Sequence, residues 1–322
     1  MTLSKLARLA NVSVSVVSKA FSGKDGVSDA MREHVFTVAR EHGCFEQFYH
    51  APYDKPVVAV IIPEAISVYY IHYIEVLKKS MEANGYTMLL SISNFDPELT
   101  RELVRYYTDH GKVNGIVLFG GAPEINRKIE TVLITLNDSS TDSYPSTVRL
   151  DLRSGLSKAV RHLLDLGHRR IAYVGEPLTR MKCSILRSVM EGAGLEVRQE
   201  LMIESLHRFE DAGRDGVRRL LSLDEMPTAI FGAYGYVTKG IIEEIEAHGL
   251  CIPKDISVIS MDDDPAALHP FLDVSCIPSG IEAICDGIMD TLNRAFNASD
   301  RQDINGVIIP SEFRVGETVS KI

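Results

Sequence analysis

No apolar run in this 322-residue chain approaches the roughly 18 residues that a membrane span requires. The opening MTLSKLARLANVS has no long apolar core of the secretory-signal type, so export is not expected. Cysteine is sparse: Cys44, Cys183, Cys251, Cys276 and Cys285 are scattered, odd in number and without a CxxC pair. That pattern suits reduced thiols in a cytoplasm, each acting as a small core hydrophobe. There is no HExxH or HxH spacing among the histidines, and no GxSxG elbow, GxxxxGK[ST] loop or GxGxxG fingerprint. An enzyme is therefore not expected, and neither a catalytic residue, a cofactor nor a metal site is assigned. The run Asp262–Asp264 lacks separated partner ligands and reads as a solvated turn. No distinct leucine-heptad tail follows VSKI, so a coiled-coil tetramer is not expected.

Basic residues are in deficit overall, with 34 Lys+Arg against 44 Asp+Glu and a net charge of −10. The deficit is uneven. Lys5, Arg8, Lys19 and Lys24 stand in residues 1–24 without one acidic residue. An acidic body repels phosphates, which leaves this small head as the one plausible nucleic-acid surface. Hydrophobic residues make up 45 % of the chain, enough for a large core and more than one domain.

Within the head, LARLANVSVSVVSKAFSGKDGVS poses a choice. Its middle, VSVSVV, alternates like a strand, yet its flanks are helical. Thr2 can cap a helix whose apolar face is Leu3, Leu6, Leu9 and Ala10, ended by Asn11. Ser13 can cap a second, with Val16, Val17, Ala20 and Phe21 inward and Val14, Ser15, Ser18 and Lys19 outward, ended by Gly23. Ser28 caps a third, with Met31, Val35, Val38 and Ala39 as its stripe. A lone strand would find no partner here, and packing overrides the small helix penalty of valine. Two short helices joined by a tight turn form a helix-turn-helix, and short outward side chains let the second approach base edges.

The stretch LARLANVSVSVVSKAFSGKDGVSDAMREHV resembles the DNA-binding head of the lactose/galactose-repressor (LacI/GalR) family. The resemblance implies that Val14, Ser15 and Lys19 touch base edges and that Thr2, Ser13, Ser18, Ser22 and Ser28 touch phosphates. Lys19 stands where the family has Arg, which exchanges bidentate guanine recognition for a point charge. Val16 replaces a Thr. The connection CFEQFYHAPYDKP is shorter than the family's hinge. It has Glu46-Gln47 at the Pro-Asn position, Tyr53 at the wedge leucine and a helix-disrupting Pro52.

From Val57 onward, apolar runs such as VVAVIIP, NGIVLFGG and RRIAYVG alternate with amphipathic segments, among them EINRKIE. That rhythm predicts an α/β body with parallel sheets covered on both faces. HLLDLGHRRIAYVG, DISVISMDDDPAA and VIIPSEFRVGET extend the resemblance, which implies a two-lobed periplasmic-binding-protein-like body with a ligand cleft. The expected organisation is a head at 1–47, a linker at 48–56, a first lobe at 57–166 plus 279–307 and a second at 167–278 plus 308–322. Asp262 directly follows a buried strand and matches the first Asp of the family's FDD motif. Ser67, Tyr69 and Tyr70 match its first-lobe pocket segment. Lys182 stands for a ligand-binding Arg, with Arg180 as an alternative, and Tyr234-Gly235 replace Asn-Asp. Asp151-Leu152 stand for Asp-Asn. With three polar anchors lost, the expected effector is larger or more apolar than a hexose, stacked on Tyr69, Tyr70 and Tyr234, or absent altogether.

These readings predict a cytoplasmic, homodimeric transcription regulator, a repressor, that binds double-stranded operator DNA and a small-molecule effector without membrane association. The alternatives are a sensory or transport-type ligand binder without DNA activity and a regulator answering to a partner protein.

Overall fold

The structure is a computed structural model describing residues 1–49, 55–111, 113–120, 131–136, 147–263, 272–297 and 306–322. It divides into two compact units, 1–56 and 57–322. The smaller holds helices α1 (Leu3–Leu9), α2 (Val14–Ser22) and α3 (Asp29–Glu41) and a single turn α4 (Phe45–Phe48). VSVSVV is thus helical. The oxygens of Thr2, Ser13 and Ser28 accept the N–H groups of Lys5, Val16 and Met31 at 3.2, 3.2 and 3.3 Å, satisfying donors that a helix start leaves orphaned. Asn11 turns the chain with φ 52° and Gly23 ends α2 with φ 70°. Buried Val17, Ala20 and Phe21 of α2 meet Leu6 and Ala7 of α1, its C-cap Ala10, and Val35, Phe36 and Ala39 of α3.

Two positions on the expected apolar faces differ. Leu9 and Met31 are exposed, while Ala7 and Phe36 are buried. α4 then folds Phe45, Phe48 and Tyr49 against Phe21 and Phe36, and the Arg40 guanidinium lies 4.4 Å over Phe45. The head core therefore runs to Tyr49, past the expected limit at 47. The positions named in the linker, Pro52 and Tyr53, lie outside the described residues, as does EINRKIE.

The larger unit contains two parallel sheets. The first comprises β1 (Val57–Ile62), β2 (Thr87–Ile92), β3 (Gly115–Phe119), β4 (Val132–Leu136), β5 (Thr147–Asp151) and β11 (Val307–Pro310), ordered β11-β5-β4-β3-β1-β2. The second comprises β6 (Ile171–Gly175), β7 (Met202–Glu204), β8 (Ala229–Gly232), β9 (Ser257–Ser260) and β10 (Ser275–Cys276), ordered β10-β9-β8-β6-β7. Helices α5 (Val68–Ala83), α6 (Pro97–Asp109) and α11 (Ile281–Asn297) serve the first sheet. The second is served by α7 (Leu152–Asp165), α8 (Arg180–Gly192), α9 (Phe209–Leu221) and α10 (Gly235–Ala247). Strands β1, β3, β6, β8 and β9 are almost wholly buried, the consequence of helices on both faces.

The assignment of α7 corrects an expected boundary. Its apolar stripe, Leu152, Leu156, Ala159, Val160 and Leu163, packs in the core of the second sheet. The chain therefore leaves the first lobe after Asp151 instead of near residue 166. It returns between Cys276 and Ile281 and leaves again after Pro310, three residues beyond the expected 307. Two glycines let α9 and α10 meet backbone to backbone: a Cβ on Gly240 would lie 2.0 Å from the Glu210 carbonyl, and one on Gly213 would lie 2.2 Å from that of Val237. The C-terminal segment is pinned through His168, wholly buried, whose Nε2 donates to the Ser320 carbonyl and whose Nδ1 meets the Thr228 hydroxyl, both at 2.9 Å. Burial depresses its pKa, which suits a neutral ring.

Candidate DNA-contact face and ligand cleft

On the head, α2 presents Val14, 44 % exposed, together with exposed Ser15, Ser18 and Ser22. Neither Ser15 nor Ser18 makes a side-chain hydrogen bond among the described residues, whereas Ser22 Oγ donates to the Lys19 carbonyl at 3.5 Å. Thr2, Ser13 and Ser28 each use an oxygen lone pair in their caps, which leaves a hydroxyl proton to donate outward. Lys19 is half-buried: its ammonium lies beside Gly26, where an added Cβ would meet it at 3.1 Å. Arg32 ties α3 to the end of α2 through the Ala20 carbonyl at 2.9 Å. The eight residues selected from the sequence thus lie on or beside the capped start, outer face and end of α2 and the starts of α1 and α3.

In the larger unit a cavity of about 560 Å3 lies where the C-terminal ends of the strands of both sheets converge. All six residues selected from the sequence, Ser67, Tyr69, Tyr70, Lys182, Tyr234 and Asp262, line it. Their polar atoms are largely engaged within the protein. Asp262, 4 % exposed, accepts the N–H of Gly235 at 2.7 Å and so caps α10. Lys182 Nζ donates to the Ala233 carbonyl at 2.9 Å. Tyr234 Oη donates to Glu176 at 2.8 Å and accepts the Phe209 N–H at 3.1 Å. Burial first, and Glu176 second, push its phenol pKa up. Tyr69 Oη donates to Tyr73 at 3.5 Å, and its ring meets those of Tyr70 and Tyr73 edge-on at 5.2 and 5.1 Å. Arg180, the alternative to Lys182, is bound bidentately by Glu204 at 2.5 and 2.6 Å and is absent from the lining.

Sequence reasoning missed a charged cluster in the cleft. Arg208, on the loop between β7 and α9, reaches across to Glu64 behind β1 with two hydrogen bonds of 2.8 and 3.0 Å. Its Nε donates to Glu176 behind β6 at 3.3 Å. The Glu64 bonds, and less strongly the charge of Glu176, raise its pKa beyond the already high guanidinium range. The guanidinium also lies 4.5 Å over Phe209 and 5.7 Å over Phe95. A signal for the carboxylates existed: Glu64 follows VVAVIIP and Glu176 follows IAYVG, both just past the C-terminal end of a buried strand. Nothing local marks Arg208. Among the described residues there is no group of three His, Cys, Asp or Glu placed to hold a metal, and no helix long and apolar enough to cross a membrane.

A capped helix-turn-helix joined to a two-lobed body with a cleft defines a DNA-binding regulator with an effector-binding domain. Residues 2–44 match the model of bacterial regulatory proteins of the lacI family, and residues 160–319 match that of periplasmic binding protein-like domains. Catabolite control protein A of Priestia megaterium is 29 % identical over 280 residues, 82 % of each chain. The transcriptional repressor CytR of Escherichia coli K12 is 24 % identical over 278 residues, 81 % of this chain and 80 % of that one. Among solved structures, a lac repressor dimer bound to operator and an anti-inducer superposes with TM-score 0.71 at 17 % identity, covering 99 % of both chains. A complex of the regulator CelR with cellobiose gives 0.66 at 20 %, with the same coverage. The chain thus combines a lacI-family DNA-binding domain with a periplasmic-binding-protein-like domain, and its relatives are LacI-family transcription regulators.

Proposed function

We propose that this regulator is a repressor that works in the cytoplasm as a homodimer and grips a roughly palindromic operator through two copies of α2. Val14, Ser15 and Lys19 read base edges, while Thr2, Ser13, Ser18, Ser22 and Ser28 hold phosphates. One observation carries this reading: α2 is capped and packed on its inner side, yet turns Val14, Ser15 and Ser18 to solvent. The structural division supports a head ending near Tyr49 and lobes exchanged after residues 151, 276 and 310. Selection of operator fragments from random duplexes by the full chain, followed by band shifts on matched and scrambled sites, tests it. Recovery of no preferred sequence would overturn it.

The effector belongs in the cleft. The aromatic walls and internally engaged polar groups support an apolar or aromatic compound over a hexose. It acts only through different affinities for two lobe arrangements. Thermal-shift screening checks this, and tight binding of a simple hexose would refute it. The same satisfied polar groups favour a second reading, in which a partner protein takes the effector's place. A screen without hits, together with operator affinity altered by a purified partner, would select it.

A further inference from the structure

The Arg208 cluster joins residues distant in sequence and from both lobes. Glu64, on the first lobe, is 8 % exposed, and Glu176, on the second, is 3 % exposed. Two buried carboxylates facing each other across a cleft repel unless a cation stands between them. The protein supplies that cation from its own chain. The Glu64 carboxylate meets the guanidinium in the two-pronged geometry that suits Arg and not Lys. Phe95 from the first lobe and Phe209 from the second lie near the guanidinium. Both phenylalanines have φ 57°, a left-handed conformation that bulky side chains rarely adopt and that surrounding contacts must hold.

We propose that Arg208 determines what the cleft accepts: its side chain is a tethered ligand that fills a guanidinium-shaped subsite between Glu64, Glu176, Phe95 and Phe209. The polar end of the cavity is thereby occupied and the lobes are fastened together before any effector arrives. The effector is left the chamber walled by Tyr69, Tyr70, Phe119 and Tyr236. A polyol, which needs acceptor carboxylates, finds the carboxylates of this end already committed. This deepens the reading of the cleft as the effector site and rests on it.

Chemical rescue of the full chain tests the subsite without DNA or effector. Arg208→Ala bares two buried carboxylates and should lower the melting temperature of the body by roughly 5 °C. Solution scattering should show an enlarged radius of gyration. Millimolar ethylguanidinium should restore most of both losses in Arg208→Ala. It should leave the parent chain unchanged, and equal concentrations of sodium should do nothing. Glu64→Gln should expand the body as Arg208→Ala does. Combined with Arg208→Ala, it should weaken the ethylguanidinium response at least tenfold, because the two-pronged acceptor is gone. Arg208→Lys should remain expanded, since an ammonium cannot bridge in two prongs. Should Arg208→Ala misfold, Glu64→Gln alone decides through scattering. A compact Glu64→Gln body, or an Arg208→Ala chain indifferent to ethylguanidinium, would overturn the proposal. Failure to find an operator or an effector would count against the proposed function and leave these readouts standing.

Discussion

The head and the cleft were read from the same kind of pattern, and they differ in what their selected residues do with their polar atoms. On α2 the outward serines are exposed, and Ser15 and Ser18 make no side-chain hydrogen bond among the described residues. In the cleft the matching residues are buried in mutual contacts: Asp262 caps α10, Lys182 holds the Ala233 carbonyl, and Tyr234 serves Glu176 and Phe209. An exposed helix face keeps its donors in water at little cost. A cavity closed by two lobes must satisfy its polar groups internally or lose their hydration without return.

The comparison is broken most severely by charge on α2. Ser18→Glu places a carboxylate on the exposed face without touching the core. It should lower operator affinity roughly 100-fold or more while circular dichroism and melting stay unchanged. An unchanged band shift would remove α2 from the interface. In the cleft, Tyr234→Phe strips a proton donor from Glu176 and an acceptor from the Phe209 N–H. The body should lose about 1–3 kcal/mol in urea denaturation, with little change in the head.

A smaller effect separates capping from contact. Ser13→Ala should cost the head ~1 kcal/mol and weaken binding to all sequences alike. Lys19→Ala should chiefly reduce the difference between matched and scrambled sites, because the contact proposed for it is to a base edge and not to a phosphate. The gentlest test is titration of the C-terminal anchor. His168 has a folded pKa below its ordinary value of 6.5, so the unfolded chain takes up a proton that the folded body refuses. Its contribution is full above pH 6.5 and declines as the pH falls from there toward the folded value. Urea midpoints at neutral and mildly acidic pH should therefore converge in His168→Gln relative to the parent chain.

Much of this was legible locally. Thr2, Ser13 and Ser28 announced three helix starts, Asn11 and Gly23 two stops, and the strand-like VSVSVV lost to its flanks because a helix gave Val17, Ala20 and Phe21 a shared face. Leu9 and Met31 misled because a periodic apolar residue on a short helix can sit just outside the buried arc. The lobe to which α7 belongs was not legible, since an amphipathic stripe records that it is covered and not by which sheet. Six cleft residues were found through resemblance, whereas Arg208, the cation that joins Glu64 and Glu176, was not.

Local periodicity, capping chemistry and turn residues by themselves determined the helix-turn-helix and the alternation of strands and helices, because those depend on neighbours a few positions away. The tertiary structure alone decided where the chain passes between lobes and which charges meet. Glu64 and Arg208 are 144 residues apart, and only the convergence of two sheets brings their charges to 2.8 Å.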